Sequence, residues 1–187
     1  QFILISTRKY PNVRNFLLIA FLLRFLCVII DQYDLITLPD SSGDSRWFNS
    51  QAIKFSRNDG LSIIFSFFSF DALLISKIIS IFYTIFGESK IIAQSISVAL
   101  GTASVYLVYY LCLMIWDHRS AKNAAWVTAL FPTLILYSSL IIREPYIVFF
   151  LLIGLIGIVK FIRYKTITSF LLILISFYIL NFFHGPI

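Results

Sequence analysis

Charge is scarce in this sequence. Only 13% of its residues are Asp, Glu, Lys or Arg, too few to cover a soluble domain of 187 residues with polar surface. Cysteine is scarcer still. Cys27 and Cys112 both lie inside apolar runs, so neither a disulfide framework nor a Cys-x-x-Cys metal site is on offer, and both read as small buried hydrophobes. No basic-aromatic RNA motif is present. The net charge of +6 sits mainly in short loops between apolar runs, the pattern of a topology signal and not of a nucleic-acid face.

What is abundant is apolar. The mean hydropathy is +0.90, and the chain carries 20 Phe and 10 Tyr. Runs near 18 apolar residues recur, which predicts a polytopic all-α membrane bundle with about five spans. The expected spans are Asn15–Tyr33, Ile91–Ile115, Ala121–Leu140, Pro145–Ile162 and Thr166–Phe183. The first run lacks a small-residue cleavage site and reads as a retained span, not a signal peptide. Beginning at Gln1 and stopping at Ile187 after an apolar run, the chain reads as the N-terminal part of a longer protein. The Phe excess is lipid-facing filler in the simplest reading. The Ile/Phe/Lys usage points to a bacterium, hence to the plasma membrane. Trp47, Trp116 and Trp126 suit interfacial anchoring.

Leu61–Gly87 is apolar but punctuated. Ser76, Ser80 and Thr84 recur every four residues beside Lys77, drawing a polar stripe along one helix face. A charge near the middle of a span is costly, so an interfacial or re-entrant helix is expected. Loop charge supports this. Arg8, Lys9 and Arg14 precede the first span, Arg119 and Lys122 lie in the stretch "WDHRSAK" between the second and third, and Lys160, Arg163 and Lys165 lie in the stretch "KFIRYK" where the fourth ends. All three clusters face the cytoplasm only if Leu61–Gly87 does not cross. Residues 1–14 are then a cytoplasmic arm. Residues 34–90 become one long extracytoplasmic loop carrying interfacial helices. Seven of the nine acids fall between residues 31 and 88. Arg143, Glu144 and His184 face the same outer side.

Within that loop "DSSGDSRWFNSQA" sets Asp44, Phe48 and Ala52 four residues apart. After the turn chemistry of "SSG", residues 45–57 are expected to form a short amphipathic helix. Asp44 stands at or near its N-cap, and Phe48, Ala52 and Phe55 pack toward the membrane surface of a helix lying on the outer interface. From spacing alone Asp44 reads first as a cap. Asp40 reads mainly as a turn residue, with a divalent-cation ligand beside Asp44 as the alternative. Arg24, inside the first span, calls for a buried partner, most simply an interior ion pair, unless it snorkels. His184 is a structural interface residue or a polar contact to substrate.

The Asp-x3-Phe-x3-Ala pattern of Asp44, Phe48 and Ala52, then "YTIFGES" before a span, then "LFPTLILYSSLIIREP", resembles the glycosyltransferase C superfamily. The resemblance follows the order of elements over nearly the whole chain, on short motifs. Here Phe48 stands where the family usually has Tyr, and Ser45 where it often has Glu. Protein O-mannosyltransferases and aminoarabinose transferases belong to that group. The resemblance implies an inverting transfer of a sugar from a polyprenyl-phosphate carrier to a glycan, lipid or protein acceptor, outside the cytoplasm. It implies Asp44 as the base and Arg143 as a phosphate or carboxylate partner. Glu144 would orient Arg143 or the acceptor, and His184 would contact sugar or phosphate. No cofactor is firmly expected beyond a possible divalent cation at Asp40. The competing readings are a non-catalytic membrane subunit or small transporter, and a lipid-linked polysaccharide polymerase or ligase.

Overall fold

The computed structural model describes residues 13–35, 39, 41, 43–66 and 73–183. All regular structure among the described residues is helical. The helices are α1 (Val13–Gln32), α2 (Asp44–Asn58), α3 (Leu74–Phe86), α4 (Lys90–Ile115), α5 (His118–Leu130), α6 (Pro132–Tyr137), α7 (Glu144–Tyr164) and α8 (Ile167–Phe183), with a 3₁₀ segment at Gly60–Ser66. Asp40, His184 and the arm before Val13 lie outside the described residues.

Three helices, α1, α4 and α7, are long and apolar enough to cross a membrane. At 1.5 Å per residue the shortest of them measures about 30 Å, the thickness of a hydrocarbon core. α8 is shorter, with 17 residues. α3 has 13 residues and reaches only about 20 Å. The outer faces of α1 and α8 carry exposed Leu22, Leu26, Ile29, Leu174 and Ile175, as lipid-facing helices do.

The inner face of α1 repeats every three or four residues: Val13, Phe16, Leu17, Ala20, Arg24, Val28 and Asp31. Its first half packs on α4 and α5 in a core with Val105, Tyr109, Ala121, Ala125 and Ala129. Alanine every fourth residue of α5 lets the two backbones approach closely. A second core forms at the opposite end from Phe48 and Ala52 of α2, Ile75, Ile79 and Tyr83 of α3, Ala93 of α4, Ile141, Tyr146 of α7, and Phe182 and Phe183 of α8.

Between the two cores the chain departs from expectation. The run 121–140 is not one helix. α5 ends at Leu130, Phe131 is extended (φ −67°, ψ 115°), and Pro132 starts the six-residue α6. Proline has no N–H to give to a continuing helix, and its ring clashes with the preceding turn. At the first position of a new helix neither matters. α6 stops at Tyr137, and residues 138–142 are non-helical yet fully buried. Irregular backbone at membrane depth survives only where protein satisfies its polar groups. Here Ser138 N donates to Leu134 O (3.2 Å), Ser139 N to Leu136 O (3.0 Å) and Leu140 N to Tyr137 O (3.4 Å).

Arg24, 1% exposed, bolts this segment to α1. Its Nε donates to Ser138 Oγ (2.8 Å), and Nη1 donates to Ala20 O (2.9 Å) and Ala129 O (3.5 Å). The expected interior ion pair is therefore replaced. Among the described residues no carboxylate meets Arg24, and a hydroxyl and two carbonyls solvate it. One of those carbonyls, Ala129 O, lies in the last turn of broken α5, where C=O groups lack an intrahelical partner.

Candidate functional site

Helix α2 forms where its pattern predicts, but its apolar face packs in a core with α3 and not toward the membrane surface. Phe48 and Ala52 are buried, Phe55 is half-buried, and Trp47, Lys54 and Arg57 are exposed. Gly43 takes the N-cap position, with no side-chain cap bond, and Asp44 is the first helical residue. The cap role expected for Asp44 is thus not made. Its carboxylate is exposed, beside the positive end of the α2 dipole.

Most of the polar stripe of α3 does not face water: Ser76 and Ser80 are buried, and Thr84 at its end is exposed. Ser76 Oγ donates to Phe48 O (2.9 Å), and Thr84 Oγ1 lies 3.3 Å from Ser56 Oγ. Tyr83 OH donates to Asn49 Oδ1 (2.6 Å). Lys77 is buried too, and its Nζ donates to Ser66 O (2.8 Å). The stripe is the seam that fixes α2 on α3. At the far end of that seam Arg57 grips Glu88 with two bonds, of 2.7 and 2.8 Å. Those bonds hold the exposed Glu88 carboxyl below its ordinary value.

The first turn of α2 docks on the buried segment that leads into α7. Ile141 N donates to Ser45 Oγ (3.3 Å). Arg143, the N-cap residue of α7, sets its guanidinium 5.9 Å from the Phe48 ring centroid, a cation–π distance. Two elements far apart in sequence thus meet, Ser45 and Phe48 of α2 against Ile141 and Arg143. Phe48 offers a ring face to the cation, and Ser45 Oγ serves as an acceptor anchor. No hydrogen bond or ion pair joins Asp44 to Arg143 among the described residues. Glu144 is exposed at the first position of α7, beside Pro145, and makes no ion pair with Arg143. It lines a cavity of about 40 Å³ shared with Arg24, Gly101, Ser104, Thr128, Tyr137 and Ser138.

A feature that sequence reading missed lies at the same end. Asp31, 2% exposed at the end of α1, pairs with Lys90 Nζ (2.9 Å) and accepts from Gln94 Nε2 (2.5 Å). Only the count of acids pointed to it. Its partners open α4, and a pair across two helices leaves no local spacing signal.

An apolar groove of about 540 Å³ runs between α3, α7 and α8, lined by Leu74, Ile78, Phe150, Tyr178, Phe182 and Phe183 among others. Its walls belong to the core that holds Phe48 and Tyr146. Among the described residues no group of three His, Cys, Asp or Glu side chains is placed to hold a metal ion. Asp40 and His184, expected beside the site, lie outside the described residues.

Among the described residues the regular structure is all helical, three helices are long and apolar enough to cross a membrane, and the first turn of α2 docks on the segment that leads into α7. No protein-family model, curated protein or solved structure matches the chain.

Proposed function

We propose that the protein is a membrane glycosyltransferase that moves a sugar from a polyprenyl-phosphate carrier to an acceptor on the extracytoplasmic side. One observation carries the reading. Ser45 accepts from Ile141 N while Arg143 stands over Phe48, so the first turn of α2, which carries the exposed Asp44, lies against the segment that leads to the guanidinium at the start of α7. The acceptor oxygen bonds to the anomeric carbon as the bond from that carbon to the phosphate oxygen breaks on the opposite face. Asp44 takes the acceptor proton. The electron pair leaves on the phosphate oxygen, where Arg143 and the positive end of α7 stabilise the growing charge. Glu144, and His184 beyond α8, are assigned to sugar or phosphate contacts. The groove beside α3 suits the apolar tail of such a carrier.

The test is Asp44→Asn in the full-length protein, reconstituted with a polyprenyl-phosphate sugar. Transfer is expected to fall roughly 10²–10⁴-fold, the usual contribution of a positioned base, with membrane insertion unchanged. Unaltered transfer would sink the assignment. The broken α5–α6 pair and the buried segment 138–142 favour a second reading, a small transporter or membrane subunit, because interrupted helices mark ion and solute sites. Flux across vesicles without sugar transfer would select it.

A further inference from the structure

The opposite end of the bundle carries a second cleft that the proposed chemistry does not use. It measures about 260 Å³ and is lined by Tyr106, Leu107 and Tyr110 of α4, Ile153, Ile156 and Lys160 of α7, and Leu172 of α8. Its lining has two chemistries. Ile153, Ile156, Leu107 and Leu172 form an apolar wall. Tyr106 and Tyr110 stack with ring centroids 6.4 Å apart and 16° between planes, and Lys160 Nζ lies 5.5 Å from the Tyr110 centroid. Among the described residues no carboxylate pairs with Lys160.

The surroundings match the ammonium. The end of α4, the start of α5, the end of α7 and the start of α8 meet here. Arg14, Arg119, Lys122, Arg163 and Lys165 are exposed at this end. The one carboxylate among the described residues there, Asp117, is committed to capping α5, accepting from Arg119 N, Ser120 N and Ser120 Oγ. Lys160 is one turn short of the end of α7. At that depth a lysine stem lies along apolar surface and its head reaches the polar boundary.

We propose that this cleft binds one anionic phospholipid, with its phosphate at Lys160 and the tyrosine pair and its acyl chain along Ile153, Ile156 and Leu172. The apolar wall selects a lipid over a free phosphate, and the unpaired cation selects an anionic headgroup over a zwitterionic one. This site is independent of the sugar chemistry proposed above.

Native mass spectrometry of the full chain, released from bilayers of equal phosphatidylglycerol and phosphatidylcholine, tests it. The protein is expected to retain one phosphatidylglycerol in preference. Lys160→Gln should cut that retention about five-fold, the weight of one juxtamembrane cation. Lys160→Arg should keep it, which also reports an intact fold. Lys165→Gln, at the same end but outside the cleft, should leave it unchanged. Equal retention by Lys160→Gln would overturn the proposal. So would an equal loss in Lys165→Gln, which means diffuse attraction, or displacement by millimolar glycerol 3-phosphate, which means a headgroup site without a lipid groove.

Discussion

Two carboxylates near the α2 end of the bundle are treated oppositely by their surroundings. Asp44 is exposed and makes no ion pair among the described residues, while Asp31 is buried under Lys90 and Gln94. A proton acceptor must be reachable by its substrate, and Asp31 is buried and ion-paired, so it acts as a structural group. Lys90→Met strips its counter-charge and should cost roughly 3–5 kcal/mol, as broken buried pairs do. Thermal unfolding in detergent should show the loss, and adding Asp31→Asn should recover part of it. The exposed pair Arg57–Glu88 is a smaller fastening with a pH signature. Glu88 has its carboxyl lowered by the Arg57 bonds. Its contribution is therefore complete above the ordinary value of 4.5 and fades as pH falls through the lowered folded value. Hydrogen exchange at the α2 C-terminus should quicken below that point, and Glu88→Gln should be equally quick at neutral pH. The four-residue spacing of Asp44, Phe48 and Ala52 was legible because a helix face is a local property. The Asp31 pair was not, since its Gln94 partner is 63 residues away.

At the scale of elements, the contact between α1, α4 and the buried segment 138–142 is the tightest joint near the site. A Cβ on Gly101 would sit 2.3 Å from Ser138 Cβ and 3.0 Å from Arg24 Nε. Neither neighbour has room, because Ser138 and Arg24 hold each other. Gly101→Ala is expected to destabilise by about 1–3 kcal/mol, the usual range for overpacking. Ala99→Val, on the exposed side of the same helix, should leave the unfolding temperature unchanged, and equal melting of the two variants would refute the joint. Hydropathy could not reveal it. A window average runs smoothly across Phe131–Pro132, whereas the backbone cannot, since the proline that ends one helix starts the next. Arg24 was visible as a cost within an apolar run. Its solution was not, since a hydroxyl and two carbonyls took the place of a carboxylate. The seam of Ser76 and Ser80 was read correctly as a stripe, but periodicity does not say whether a stripe meets water or another helix.

At the scale of the molecule, the charge asymmetry and the helix lengths make one topological claim. α3 is too short to cross, at about 20 Å against 30 Å of hydrocarbon, and it lies against α2 through hydrogen bonds. Arg14, Arg119, Lys122, Arg163 and Lys165 gather at the end away from Asp44, where the positive-inside rule sets the cytoplasm. Asp44, Arg143 and Glu144 would then face outward, and the phospholipid cleft inward. The check uses a chain freed of Cys27 and Cys112, carrying Ser89→Cys or Lys165→Cys, and a maleimide that cannot cross membranes. Ser89→Cys should label on intact cells, and Lys165→Cys only after permeabilisation. Reversed labelling, with Lys165→Cys reached on intact cells and Ser89→Cys only after permeabilisation, would invert the whole bundle. In that event the site where α2 meets the segment leading into α7 would stay intact. An extracytoplasmic lipid-linked donor could no longer reach it, and the transferase reading would give way to the transporter.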